Sequence, residues 1–187
     1  MTPKILGISG ITGAGKTTLC KALAHEFKST SIFWDDFDLI STSPSDYVAW
    51  YHRGQDYNEW DYPALAEGIR LLKTNHPFLH PVHQSILEPS EFIIFDAPLG
   101  RRHIQTGQLI DVAIHLSTPL DVALCRRLLR DYKSDAQTKN DLLDDLQYYL
   151  SYSRPLFFDD DIKAHADLII DGMLSLDEQV QRILEYL

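Results

Sequence analysis

Residues Gly10 to Thr17 read GITGAGKT, which satisfies the spacing G-x-x-x-x-G-K-[ST]. The segment follows a short apolar run, Lys4 to Ser9 (KILGIS), and opens a stretch, Lys16 to Phe27, that carries Leu19, Leu23, Ala24 and Phe27 at helical spacing. Strand, glycine loop and helix start in that order form a cradle for phosphate. Glycines let backbone N–H groups turn toward anionic oxygens, and the helix N-terminus adds a favourable dipole. The pattern predicts nucleotide contacts from Gly10, Thr12, Gly13, Ala14, Gly15, Lys16, Thr17 and Thr18. Lys16 is expected to bring a point charge to the transferred phosphate, and the Thr17 hydroxyl to ligate magnesium, so ATP and Mg2+ are the implied cofactors. An ordinary glycine turn before a helix is the plainer alternative, and the flanking strand and helix disfavour it. The loop alone does not set the use of the nucleotide, because kinases, GTPases, motor ATPases and sensors all carry it.

Further apolar runs at Ser31 to Trp34, Glu91 to Phe95, Asp111 to Leu116 and Asp167 to Ile170 are too short for helices and read as strands. Helical patterns lie between them at Pro63 to Lys73, Pro119 to Tyr132, Leu142 to Ser153 and Leu176 to Leu187. Strands alternating with helices imply a parallel sheet covered on both faces. The expectation is an α/β, three-layer P-loop NTPase fold with a five-stranded parallel sheet, helices on both faces and a small lid at about residues 127–145. The length of 187 residues fits one domain over residues 1–187. Two stretches read as irregular, Asp35 to Tyr62 and Lys133 to Asn140, and are expected to carry substrate or close over it.

The net charge of −10 opposes a nucleic-acid polymer as partner. No stretch of apolar residues reaches membrane-spanning length and no signal pattern opens the chain, so a cytoplasmic protein without a membrane partner is expected, as monomer or homodimer. Cys20 and Cys125 fall inside helical patterns without metal or disulfide spacing and read as core thiols.

Phosphoryl transfer to an alcohol needs one group to accept the hydroxyl proton and another to hold the metal. In a parallel sheet both belong at the C-terminal strand edges. Asp35 and Asp36 follow the second strand candidate and Asp96 follows the third. Asp35 is the candidate base, a substrate contact and a candidate metal ligand; Asp36, its neighbour, is a substrate contact with a metal-water or hydrogen-bonding role; and Asp96 is the metal-orienting carboxylate. Aspartates also follow strands merely as turn formers, which is the competing account of each one alone.

These residues resemble the uridine kinase and phosphoribulokinase family of P-loop kinases, including the nicotinamide riboside kinases. GISGITGAGKTT (Gly7 to Thr18) looks like that family's opening, and WDDF (Trp34 to Phe37) is similar to its Gln-Asp-[Ser/Asp]-Phe, which implies that Asp35 is the base. WDYP (Trp60 to Pro63) resembles Phe-Asp-His-Pro, whose aspartate holds ribose hydroxyls, and the match falls on Asp61. RRLLRD (Arg126 to Asp131) looks like the entry to the lid, and Tyr149 to Gly172 is similar to the closing segment, whose arginine before the proline falls on Arg154, a candidate substrate contact. In physical terms, Asp61 can accept bonds from vicinal hydroxyls while Trp60 or Tyr62 offers a flat face to a base; the alternative is a helix-entry aspartate with aromatics in the core. Arg126 and Arg130 share a helix face, with Arg127 offset by about 100°. Arg127 and Arg130 are the candidate catalytic cations, a solvated face being the alternative.

The sequence also departs from that family. Asp96 stands where the family has a glutamate, and Lys133 to Asp141 (KSDAQTKND) carries lysines where the lid usually has arginines. The pyrimidine-reading segment has no clear counterpart; the nearest candidates are His80 and His83 in FLHPVHQS, with His83 taken as a substrate contact. Two histidines at that spacing make a weak metal site without a third ligand. The function expected is an ATP-dependent kinase, a phosphotransferase to an alcohol of a small molecule, with a nucleoside or riboside favoured. The alternatives are a kinase for an already phosphorylated acceptor, using Arg53, Arg101 and Arg102, or a regulatory NTPase switch. The missing Asn-Lys-x-Asp argues against a GTPase.

Overall fold

The computed structural model describes residues 2–133 and 137–187; residues 134–136, inside the expected lid, lie outside it. The described residues form seven strands: β1 (Lys4–Ser9), β2 (Thr30–Phe33), β3 (Phe78–Leu79), β4 (Ile86–Leu87), β5 (Phe92–Asp96), β6 (Val112–Ser117) and β7 (Leu168–Asp171). Five of them make one sheet in the order β2-β5-β1-β6-β7, every pair parallel, while β3 and β4 form a small antiparallel hairpin. The longer helices are α1 (Lys16–Glu26), α3 (Pro63–Lys73), α5 (Leu120–Asp131), α6 (Lys139–Tyr148) and α8 (Leu176–Tyr186). The short ones are α2 (Tyr47–His52), α4 (Ile104–Gly107) and α7 (Asp160–Ala164).

Strand β1 runs through the middle of the sheet and is buried from Ile5 to Ser9. Its side chains alternate between faces, as the pleat requires. Ile5 joins the core beneath α3, with Leu65, Ile69, Leu72 and Phe95, whereas Leu6 and Ile8 join the core beneath α1 and α8, with Leu19, Leu23 and Ile183. Three layers result. Each fully buried Leu or Ile contributes about 1.5–3 kcal/mol by leaving water, an upper bound because the unfolded chain already hides some surface.

Helix ends follow local chemistry. Pro63 starts α3, where its missing N–H costs nothing. A reciprocal capping box, Thr138 with Asp141, starts α6 at Lys139, ahead of the expected Leu142. The helix passes into a π-helical turn at Tyr149–Ser153. The expected irregular stretch from Asp35 to Tyr62 is largely ordered instead. It holds a 3-10 helix at Trp34–Ile40, then α2 with Asp46 as its cap, and a second 3-10 turn at Tyr57–Glu59. Elements this short do not repeat long enough to show a period. Among the described residues no helix is long and apolar enough to cross a membrane.

Candidate active site

The phosphate loop joins β1 to α1 at the C-terminal edge of the sheet. Gly15 precedes the helix at φ +109° with no side-chain cap, so the first-turn N–H groups are left to an anion. Gly13 has φ +82°, and a Cβ there would strike the carbonyl oxygen of Ala123 on α5. A cavity of about 550 Å³ opens over the loop. Its walls include Gly10, Thr12, Gly13, Gly15, Lys16, Thr17 and Thr18, together with Asp35, Asp96, Arg126 and Arg130. Ala14 is buried behind it and lines a smaller adjoining cavity of about 260 Å³. Lys16 Nζ donates to the carbonyl of Ile11 at 3.2 Å, folded onto its own loop.

The carboxylates gather at the same rim because β2 and β5 end side by side, with Phe33 opposite Asp96 in the register. Thr17 Oγ1 donates to Asp96 Oδ2 at 2.8 Å. Asp96 is buried, and burial raises its pKa against the opposing pull of Lys16 and the Thr17 bond. Its second oxygen, Oδ1, is buried without a hydrogen-bond partner. An unpartnered carboxylate oxygen beside a hydroxyl, next to a phosphate cradle, is a donor set of hard oxygens suited to a hydrated magnesium ion. Asp35 is exposed and lines both the loop cavity and a second one of about 450 Å³. That second cavity extends along Ile32, Phe33, Asp36, His80, His83 and Leu87, and shares Thr17, Asp35 and Asp96 with the first.

The chain is 28% identical over 183 residues to a uridine kinase of Anoxybacillus flavithermus, a match covering 90% of this chain and 85% of that one. A uridine kinase of Latilactobacillus sakei is 29% identical over 192 residues, again covering 90% and 85%. The chain is a relative of the uridine kinases. No family model matches it. Among solved structures, a shikimate kinase from Acinetobacter baumannii in complex with shikimate superposes with a TM-score of 0.53 at 14% identity, over 99% of this chain and 93% of that one. A sugar kinase from Janibacter gives 0.53 at 16% identity, over 98% and 94%. At such identities the likeness concerns the fold, which is that of the P-loop kinases.

Several residues singled out by resemblance to the uridine kinases lie elsewhere. Arg127 turns from the loop cavity to Asp145 on α6, at 3.1 Å, with its guanidinium over the Phe157 ring. Arg126 stands in the wall instead, donating to the Ala14 carbonyl at 3.3 Å and to the Gly172 carbonyl at 3.4 Å. The reason is helical phase: Arg126 and Arg130, one turn apart, line the loop cavity, and Arg127, about 100° round α5 from Arg126, meets α6 instead. The shared face of Arg126 and Arg130 was visible in their spacing. Arg130 also lines the loop cavity, with its Nε donating to Asp131 at 2.8 Å. Arg154 is exposed against the Phe158 ring and lines neither cavity.

The loop around Asp61 follows the core alternative. Tyr62 is buried, its ring 4.1 Å from Trp34 and its hydroxyl donating to Asp38 at 2.8 Å. Trp60 stacks on Tyr47 and packs edge-on against Trp34 and Trp50. Tyr62 is shut inside the core, and one face of Trp60 is covered by Tyr47. Asp61 accepts from Gln105 Nε2 at 2.6 Å, pairs its backbone with Thr42, and lines neither cavity. The three arginines considered for a phosphorylated acceptor are each matched with a carboxylate: Arg53 with Glu59, Arg101 with Asp167 and Arg102 with Asp161. Cys20 is buried as expected, but Cys125 is exposed on the outer side of α5.

Beneath the loop lies a buried polar chain with no sequence signal. His115 on β6 sits opposite Ser9 of β1, Nδ1 to the hydroxyl at 3.2 Å, and its Nε2 lies 3.3 Å from Asp159. Burial first, then Lys163 and Lys16, lower the pKa of His115 to about 4. Burial also raises that of Asp159. The ring is neutral at pH 7.

Proposed function

We propose that the protein is an ATP-dependent kinase that phosphorylates a hydroxyl of a small molecule, with a nucleoside or riboside as the acceptor. The supporting observation is the shared wall. Asp35 stands between a cavity built around the phosphate loop and a second cavity with apolar and polar sides, the arrangement needed to pass a phosphoryl group to something other than water.

In this reading the loop N–H groups and Lys16 hold the β- and γ-phosphates, and Arg126 and Arg130 add positive charge over the transferring group. The base of the nucleotide lies in the small cavity beside Gly172, Leu174 and Gln179, walled by Arg126. The acceptor oxygen attacks the γ-phosphorus, the bond to the ADP oxygen breaks, and Asp35 takes the hydroxyl proton. Thr17 and Asp96 would hold magnesium, which would neutralise charge on the phosphate oxygens. Asp36 and His83 contact the acceptor. The segment at about residues 127–145 serves as the lid, and within its described residues Arg127 pairs with Asp145.

The test is ADP release measured with nucleosides, ribosides, pantothenate and glycerate in turn. Acceptor-dependent ADP release, strongest with a riboside, is expected. A basal rate that no acceptor changes would favour a slow nucleotide switch. An acceptor already carrying phosphate is disfavoured by the pairing of Arg53, Arg101 and Arg102.

A further inference from the structure

The second cavity contains a histidine whose hydrogen-bonding state is fixed by its backbone. His80 is 2% exposed, at the end of β3, with its ring against Phe37 at 4.7 Å. Two N–H groups of the following turn, from Val82 at 3.3 Å and His83 at 3.2 Å, donate to its Nδ1. Burial and the neighbouring His83 lower its pKa, so the ring is neutral at pH 7 and carries one proton. With Nδ1 accepting, that proton is on Nε2. This Nε2–H is buried and has no hydrogen-bond partner among the described residues. It faces Asp36 Oδ2 across 3.8 Å, beyond hydrogen-bond length, while the other oxygen of Asp36 is engaged by His83 Nε2 at 3.1 Å.

The same three side chains have ligand atoms within 4.8 Å of one another, the third ligand that the histidine spacing lacked. The tautomer speaks against a metal there. Imidazole ligates through a lone pair, and on His80 the backbone already engages that lone pair. What fits between a donor and a carboxylate 3.8 Å apart is one oxygen roughly 2.8 Å from each that accepts from His80 and donates to Asp36. A hydroxyl does both. A carbonyl cannot donate to Asp36, an ammonium cannot accept from His80, and an anionic oxygen is repelled by the carboxylate.

We propose that Asp36 and His80 bind a second hydroxyl of the acceptor, distinct from the one phosphorylated, and so select a polyhydroxylated substrate over a simple alcohol. This rests on the kinase reading above. Asp36 and His80 line the second cavity but not the loop cavity, so the hydroxyl they hold lies away from Lys16. They take the task that resemblance assigned to Asp61, which Gln105 occupies here.

The experiment compares kcat/KM for a riboside and its monodeoxy analogues in wild type, His80→Phe, His80→Gln and Asp36→Asn. Phenylalanine keeps a ring against Phe37 and Phe78 and removes the donor; glutamine keeps an N–H. In wild type, loss of one particular hydroxyl is expected to lower kcat/KM about tenfold or more, because a buried donor is left unpaired. In His80→Phe the parent and that analogue should come within about threefold, chiefly through KM, with part of the discrimination restored in His80→Gln; Asp36→Asn, which keeps the His80 donor, should lose less of it. Equal use of every deoxy analogue by wild type, or a ratio unchanged in His80→Phe and Asp36→Asn, overturns this inference and leaves the kinase standing. Absence of phosphorylation of any acceptor overturns both.

Discussion

At the scale of single residues, the site is built from side chains held away from their ordinary states by burial. His115 is the clearest case. Its folded pKa of about 4 lies below the unfolded value of 6.5, so the unfolded chain binds the proton first as pH falls. The stability it supports is therefore full above pH 6.5 and is lost between pH 6.5 and about 4, a gap corresponding to roughly 3 kcal/mol. Burial lowers His80 and His103 in the same sense, and the raised Asp159 acts oppositely at the acid end. Urea midpoints measured from pH 7 to pH 4.5 should fall steeply in wild type and less steeply in His115→Gln. Equal slopes would remove His115 from the account.

Among the elements, α5 separates two arginines that the sequence sets side by side. Arg126 faces the loop, and Arg127 ties α5 to α6 through Asp145. Arg126→Met is expected to lower kcat/KM for ATP by about 100-fold, as loss of a charge over the phosphates does. Arg127→Met should cost much less, about tenfold or below, and act through the α5–α6 link. A reversed order in steady-state kinetics would contradict the placement. The five sheet strands were legible to within a residue because their apolar runs are too short for helices and alternate with stretches of helical spacing. Pro63 fixed α3, and the glycine loop fixed α1. The short elements between Asp35 and Tyr62 were not legible, nor was the β3–β4 hairpin, because two to seven residues show no periodicity. The gathering of Lys16, Thr17, Asp35 and Asp96 around one cavity was readable, because each stands at or past a strand end at the same sheet edge. The site was unreadable where helical phase or a distant partner decides, as for Arg127, Asp61 with Gln105, and His80 with its turn.

For the molecule as a whole, the parallel sheet brings two strand ends and one loop to a single rim and divides the space above it at Asp35. That division separates a kinase from a switch, since a switch needs only the first cavity. The most direct measurement is acceptor-dependent turnover in Asp35→Asn alongside ATP affinity of the same variant. The account predicts turnover lower by about 100-fold or more with ATP affinity within about threefold of wild type. Turnover equal to wild type would contradict it.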